Sequence, residues 1–267
     1  LQRQTATVQI RNDDTKVGFT DEGFEAPASY PGYTLAWQEE FSGTAINENV
    51  WSFETGNGCP NNCGFGNNEL QTYTRDNAYL QDGKLIIEAK REGTGYTSTR
   101  MISRDKKTFK FGRIDIRARL PKGKGIWPAL WMMPQASKFG TWPASGEIDI
   151  MELVGHEPSK VHGTVHYGPA WPNNLNKGGS FSLPAGTFSD AFHVFSIEWQ
   201  ADVIRWYVDN QLFFTLNKAD LGNHNYPFNE DFFFIINLAV GGNWPGSPDA
   251  QTYFPQFLIV DYLRVYQ

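Results

Sequence analysis

Cysteine is almost missing from this 267-residue chain. Its two copies, Cys59 and Cys63, fall in one loop, Cys59-Pro60-Asn61-Asn62-Cys63-Gly64. The pair is too small for the tetrahedral ligand set of a structural zinc, and neither its spacing nor its setting is that of a C-x-x-C redox pair in a βαβ unit. It is expected to close a short disulfide across a Gly/Asn-rich loop, which suits a secreted or cell-surface protein; two free thiols are the alternative. No apolar run approaches the roughly 18 residues of a spanning helix, so no membrane span is expected. No charged-then-apolar leader stands at Leu1, and the sequence is expected to begin after processing or at a cut from something longer. Basic blocks are absent as well: the net charge is -6. That argues against nucleic acid as a partner and for a neutral, polar ligand.

Helical periodicity is scarce too, whereas candidate strands recur between Gly, Pro, Asn and Asp punctuation. They run over 34–41, 84–90, 113–120, 129–133, 147–153, 160–167, 192–200, 203–208, 211–216, 232–239 and 257–266. So many strands in a chain that is 40% hydrophobic imply one large all-β domain of two stacked sheets. Asp209-Asn210 reads as the two-residue turn of a tight hairpin. The first 32 residues differ. They are polar, end in Ala26-Pro27-Ala28-Ser29-Tyr30-Pro31-Gly32, and read as an extension and linker before a domain over 33–267. Thr5 to Thr15 resembles the closing strand of a Calx-β-type repeat, which would make the region part of a modular chain.

Against this background one strand is anomalous. Gly146-Glu147-Ile148-Asp149-Ile150-Met151-Glu152-Leu153 sets three carboxylates into an apolar, β-branched run. Strict alternation puts Glu147 and Asp149 on one face and Glu152 on the other. A β-bulge at Ile150 or Met151 would bring Glu152 round to join them. Clustered carboxylates repel, so at least one is expected to hold its proton well above the usual Glu range. A retaining glycosidase needs that preparation: one ionised carboxylate and one neutral carboxyl, about 5 to 5.5 Å apart. A metal cluster or an acidic edge strand are the alternatives, although no His lies at ligand spacing inside the run.

Aromatic residues make up 15% of the chain, including nine Trp and eleven Tyr. Trp127 and Trp131 fall on one face of an extended segment; they either stack on sugar rings or, Trp131 in particular, fill core. The 113–120 strand alternates cleanly. Ile114, Ile116, Ala118 and Leu120 share one face, and Arg113, Asp115, Arg117 and Arg119 share a face expected to be wet, as a plain solvated surface or as hydrogen-bond donors to hydroxylated rings. On 161–167, His162, Thr164 and His166 share a face; His166 either touches a sugar or the acid/base carboxyl, or is a structural histidine under the floor.

From about Tyr33 onward the chain resembles glycoside hydrolase family 16, and within it the laminarinases, endo-β-1,3-glucanases. The resemblance rests on Trp37-Gln38-Glu39-Glu40-Phe41, Gly66-Asn67-Asn68-Glu69-Leu70-Gln71, Gly125-Ile126-Trp127-Pro128-Ala129-Leu130-Trp131-Met132, Trp142-Pro143-Ala144-Ser145-Gly146 leading into the carboxylate strand, and Asp261-Tyr262-Leu263-Arg264-Val265-Tyr266, in that order. It implies a β-jelly-roll sandwich with an open concave cleft, Glu147 as nucleophile, Glu152 as general acid/base and Asp149 tuning the pair. The extra residue Met151 matches the bulged signature of laminarinases and favours β-1,3-glucan, with mixed-linkage glucan also within reach. The resemblance further implies cleft walls from Asn68, Arg113, Arg117, Trp127, Trp131, Trp142, His166 and Trp244. It implies no catalytic cofactor, and a structural Ca²⁺ on the convex side held by the carbonyls of Glu40 and Gly83 and the Asp261 carboxylate. A monomer acting on a β-glucan is expected. The rivals are a non-catalytic glucan-binding module and a relative acting on agarose or carrageenan, for which Arg113, Arg117 and Arg119 leave room. Loops 56–66 and 168–179 are expected to tune cleft shape.

Overall fold

The computed structural model describes residues 16–267; the Calx-β-like stretch at 5–15 lies outside the described residues. Two sheets stack face to face in a β-jelly-roll arrangement. The inner sheet carries, from edge to edge, the strands Leu175–Ser182, Lys160–Tyr167, Glu147–Glu152, Ile126–Pro134, Phe232–Val240, Arg100–Ile102 and Ser52–Glu54. The outer sheet runs from the hairpin Val203–Val208 and Gln211–Asn217 through His193–Gln200, Gly112–Arg119 and Gln256–Tyr266 to Lys84–Glu92. Among the described residues the strands pair antiparallel except Gln71–Tyr73 with Gly95–Ser98, and Gly23 forms an isolated parallel bridge with Phe192.

Period-two patterning decides which side of each strand enters the core. Ile114, Ile116 and Ala118 from the outer sheet meet Ile148, Leu130, Met132, Phe234, Ile236 and Leu238 from the inner one, all buried in one cluster. Each such side chain contributes about 1.5–3 kcal/mol on burial. Phe232–Val240 is buried along its whole length and is apolar at every position but Asn237. Asp209 and Asn210 both adopt positive φ, 50° and 62°, the left-handed pair that lets a two-residue turn follow the twist of its flanking strands.

Two expectations are corrected here. The charged face of Gly112–Arg119 is dry, because residues 17–30 lie across the outer sheet and seal it. Arg117 donates to the carbonyls of Phe24 (2.8 Å) and Asp21 (2.7 Å) and to Asp261 Oδ2 (2.6 Å). Arg113 pairs with Asp115 (2.9 Å) and Glu198 (3.2 Å), and the Tyr30 hydroxyl donates to Asp115 Oδ2 at 2.7 Å. Phe192 exchanges backbone hydrogen bonds with Glu22 and Phe24, and its ring packs with Ile86, Ile259, Val17 and Phe19. The second half of the expected linker therefore packs on the domain as a strap, and Arg113 and Arg117 are buried on the sheet away from the carboxylates. The other correction concerns 168–179, expected to be loop throughout. Leu175–Ser182 is an edge strand on Lys160–Tyr167. Its sequence is polar and Gly-rich because backbone must come close: a Cβ on Gly179 would stand 2.7 Å from Phe214 Cβ, and one on Gly178 2.6 Å from the Gly163 carbonyl oxygen.

The Glu147–Glu152 strand is bulged, as its carboxylates required. Against Ile126–Pro134, Leu130 faces Met151 and Trp131 faces Asp149, so Ile150 has no partner. Against Lys160–Tyr167, Asp149 faces Thr164 and Glu152 faces His162, three positions against two. Ile148, Ile150 and Met151 all point to core, and Glu147, Asp149 and Glu152 share the open face. A side chain from the other sheet fixes the bulge: fully buried Trp206 donates its indole N–H to the Asp149 carbonyl at 2.8 Å. Gly163 makes room for that indole, since a Cβ there would stand 2.4 Å from Trp206 Cδ1. Trp206→Phe should therefore leave a buried carbonyl without its donor beside a small void, at a cost of about 2–4 kcal/mol. Chemical denaturation should read that loss with an unchanged m-value.

Candidate functional site

Three neighbouring strands supply the open-face residues around the carboxylates. From Ile126–Pro134 come Trp127 and Trp131, since Ile126, Leu130 and Met132 turn inward. From Lys160–Tyr167 come His162 and His166, opposite Glu152 and Glu147 in register. From Phe232–Val240 comes Asn237, the single polar residue of that strand.

Each outer carboxyl of the trio receives an indole N–H. Trp142 donates to Glu147 Oε2 at 2.7 Å, and Trp127 donates to Glu152 Oε1 at 3.1 Å. Gly146, with φ of 92°, leads into the strand at a point where a Cβ would press on Pro227 and Phe228, a position that only glycine suits. His166 Nε2 lies 3.4 Å from Asp149 Oδ2 and 3.7 Å from Glu147 Oε1, and its ring sits 5.8 Å from that of Trp142.

Burial and mutual repulsion set the protonation. Burial is the main cause that pushes the Glu152 carboxyl well above the usual range, and the charges of Asp149 and Glu147 add to it; His166 and the Trp127 N–H pull the other way. Asp149 is likewise raised, first by burial and then by Glu147. Burial and neighbouring negative charge thus push both Glu152 and Asp149 toward the protonated form. Glu152 can donate a proton into the cleft, while Glu147, held through Oε2 by the Trp142 indole, presents Oε1 free of it.

Of the expected cleft residues, Asn68, Trp127, Trp131, Trp142, His166 and Trp244 fall on or around this face. Trp244 meets Trp127 edge to face at 5.7 Å and His162 at 5.0 Å. Asn68 reaches across to Asn243 (2.8 Å), and the Asn243 N–H donates to the Asn67 carbonyl, which ties loop 56–68 to loop 241–247 at that end. The Cys59–Cys63 disulfide closes the first of these loops. Trp131 is half in the cleft and half in a polar support that the sequence reading missed. Its indole donates to Asn237 Oδ1 (2.6 Å), Asn237 donates to the Tyr73 hydroxyl (3.1 Å), and that hydroxyl donates to Glu69 Oε2 (3.2 Å). The Arg100 guanidinium lies 4.8 Å over the Trp131 ring. A lone Asn within a nine-residue apolar strand was the available signal, because a buried amide needs partners.

The one carboxylate expected to hold calcium, Asp261, does not fit the ion. Both oxygens of Asp261 already hold cations, Oδ1 the Lys84 ammonium at 2.9 Å and Oδ2 the Arg117 guanidinium at 2.6 Å. Burial alone would lower the Lys84 pKa, but hydrogen bonds and charge from Asp261 and Asp21 raise it above the usual value, so the ammonium stays charged. A divalent cation at Asp261 would have to displace the Lys84 ammonium or the Arg117 guanidinium, each of which is also paired with a carboxylate of the strap, Asp21 and Glu25.

Comparison with known proteins agrees with this geometry. The family model for glycosyl hydrolases family 16 matches residues 65–258. The chain is 45% identical over 260 residues to glucan endo-1,3-beta-glucosidase A1 of Niallia circulans, covering 88% of this chain and 38% of that protein. It is 41% identical over 271 residues to the beta-glucanase of Rhodothermus marinus, covering 94% and 91%. The crystal structure of the laminarinase catalytic domain of Thermotoga maritima MSB8 superposes with a TM-score of 0.82 at 45% identity, over 88% of this chain and 98% of that one. The chain belongs to glycosyl hydrolases family 16.

Proposed function

We propose that this protein is an endo-acting β-1,3-glucanase of the laminarinase type, which also accepts mixed-linkage β-1,3-1,4-glucan. The observation that carries the proposal is the bulged Glu147–Asp149–Glu152 face, with the Glu152 carboxyl held protonated beside Glu147 and each outer carboxyl fixed by an indole. The glucan chain lies across the inner sheet against Trp127, Trp131, Trp142 and Trp244, whose faces stack on the C–H faces of its rings.

The reaction retains configuration through two displacements. Glu152 gives its proton to the glycosidic oxygen as that bond breaks, and Glu147 attacks the anomeric carbon to form an ester with the sugar. Water then enters, Glu152 takes its proton, and the ester breaks to release the sugar and restore Glu147. Asp149 lies between them with its carboxyl pushed toward the protonated form by burial and by Glu147, which limits the negative charge of the trio. A binding module would need none of this: crowding three carboxyls on one strand face, with Asp149 buried, costs stability that such a module would have no reason to bear.

A monomer is the expected state, and glucan the expected partner. The net charge of -6 speaks against nucleic acid. Among the described residues no helix is long and apolar enough to cross a membrane. The disulfide supports a secreted or cell-surface setting.

Reducing-sugar release from laminarin should be rapid for the native chain and fall to background in Glu147→Ala at matched circular dichroism. Silence of both on laminarin, mixed-linkage glucan, agarose and κ-carrageenan, with glucan still bound, would return the reading to a binding module. Glu152→Gln should lose about 10²–10⁴-fold in turnover of laminarin. The same substitution should stabilise the fold, with a particular pH dependence. A carboxyl raised in the folded state costs nothing below its unfolded pKa, and destabilises increasingly as pH rises toward its folded value. Glu152→Gln should therefore melt close to the native protein near pH 4 and several degrees higher near pH 8. Because Lys84 and Arg117 hold Asp261, melting temperatures in EDTA and in millimolar Ca²⁺ should agree within about one degree; a rise of several degrees with Ca²⁺ would show that the ion displaces Lys84.

A further inference from the structure

We propose that Glu147, Asp149 and His166 form a binding site for one borderline divalent cation of the Zn²⁺ or Co²⁺ type, and that a cation there holds the enzyme inactive. The three donors come from two adjacent strands, in register across Glu147 and His166, and their ligand atoms all lie within 4.8 Å of one another. His166 Nε2 stands 3.4 Å from Asp149 Oδ2 and 3.7 Å from Glu147 Oε1. Zinc bonds of about 2.0–2.2 Å in a tetrahedron place neighbouring donor atoms roughly 3.3–3.6 Å apart, so this edge of the site is already at coordination spacing.

The polar bookkeeping of the site points the same way. Asp149 is 2% exposed, yet its Oδ2 has no hydrogen-bond partner, and the His166 contact at 3.4 Å does not supply one. On Glu147, Oε2 is occupied by the Trp142 indole while Oε1 faces His166. The buried Asp149 Oδ2, the Glu147 Oε1 and the His166 Nε2 therefore converge on one volume. Asp149 gives up its proton to solvent on binding, and two carboxylates and an imidazole then match the charge and softness of Zn²⁺ or Co²⁺; Ca²⁺ and Mg²⁺ prefer oxygen throughout. The fourth position opens toward the cleft, where water completes the tetrahedron.

The consequence for activity rests on the glucanase reading; the binding itself does not. A cation bound to Glu147 Oε1 withholds the oxygen that attacks the anomeric carbon, and it occupies the space the sugar ring must enter. Zinc and a glucan chain should exclude one another.

Calorimetric titration of the intact protein with Zn²⁺ should give one site per chain, and Co²⁺ should develop the visible absorption of a tetrahedral complex. His166→Gln and Glu147→Gln, each checked for native melting, should weaken the affinity at least about tenfold and abolish the cobalt spectrum. Laminarin hydrolysis should be inhibited by Zn²⁺ competitively with glucan, and not by Mg²⁺. Absence of binding, or equal affinity in both variants, would overturn the site. Binding that depends on His166 in a chain that cleaves no glucan would leave the cation site standing while the glucanase reading fails.

Discussion

The hydrogen bond from Trp206 to the Asp149 carbonyl joins the two sheets at the point where the carboxylate strand leaves regular geometry. A bulge leaves one residue out of the ladder, and an unheld bulge would let the strand slip by one position and turn every side chain to the opposite face. Here a slip would send Ile148 and Met151 toward solvent and drive Glu147 and Asp149 into the core. The indole prevents it from beneath, Gly163 yields the space the indole needs, and the apolar residues Ile150 and Met151 lock the extra position into the core. The relative placement of all three carboxyls descends from that arrangement.

Above the bulge the chemistry is assembled by tryptophan as much as by acid. Trp127 and Trp142 each do two things: the ring offers a stacking face and the N–H fixes a carboxyl oxygen. Trp131 is held differently, by a buried chain through Asn237 and Tyr73 to Glu69, with Arg100 across its ring. Such a chain is stable only when every member is satisfied, and it orients an aromatic platform more rigidly than packing alone. The cleft floor is therefore stiff where the scissile bond must be placed, and the strained, repelling carboxyls sit on a support that tolerates the cost.

The outer sheet solves the opposite problem. Its charged row has no substrate to meet, and it is neutralised internally by Asp115, Asp261, Glu198 and the strap's carbonyls. Removing one partner from such a set leaves a buried charge uncompensated, which is why these residues come as a group.

Strand periodicity, the Asp209-Asn210 turn, the core faces and the carboxylate anomaly with its implied bulge were all determined by the sequence, because each depends on residues a few positions apart and on the two-residue repeat of a strand. Tertiary structure alone decided which charged face was wet. Arg113 and Arg117 alternate as cleft residues would, and only the fold shows that residues 17–30 cross that face and that Lys84 takes the oxygen a calcium ion would need. It also decided what meets the trio. His166 lies outside the carboxylate run and Asn237 far beyond it, and contacts between distant segments are set by sheet order, which local pattern does not encode.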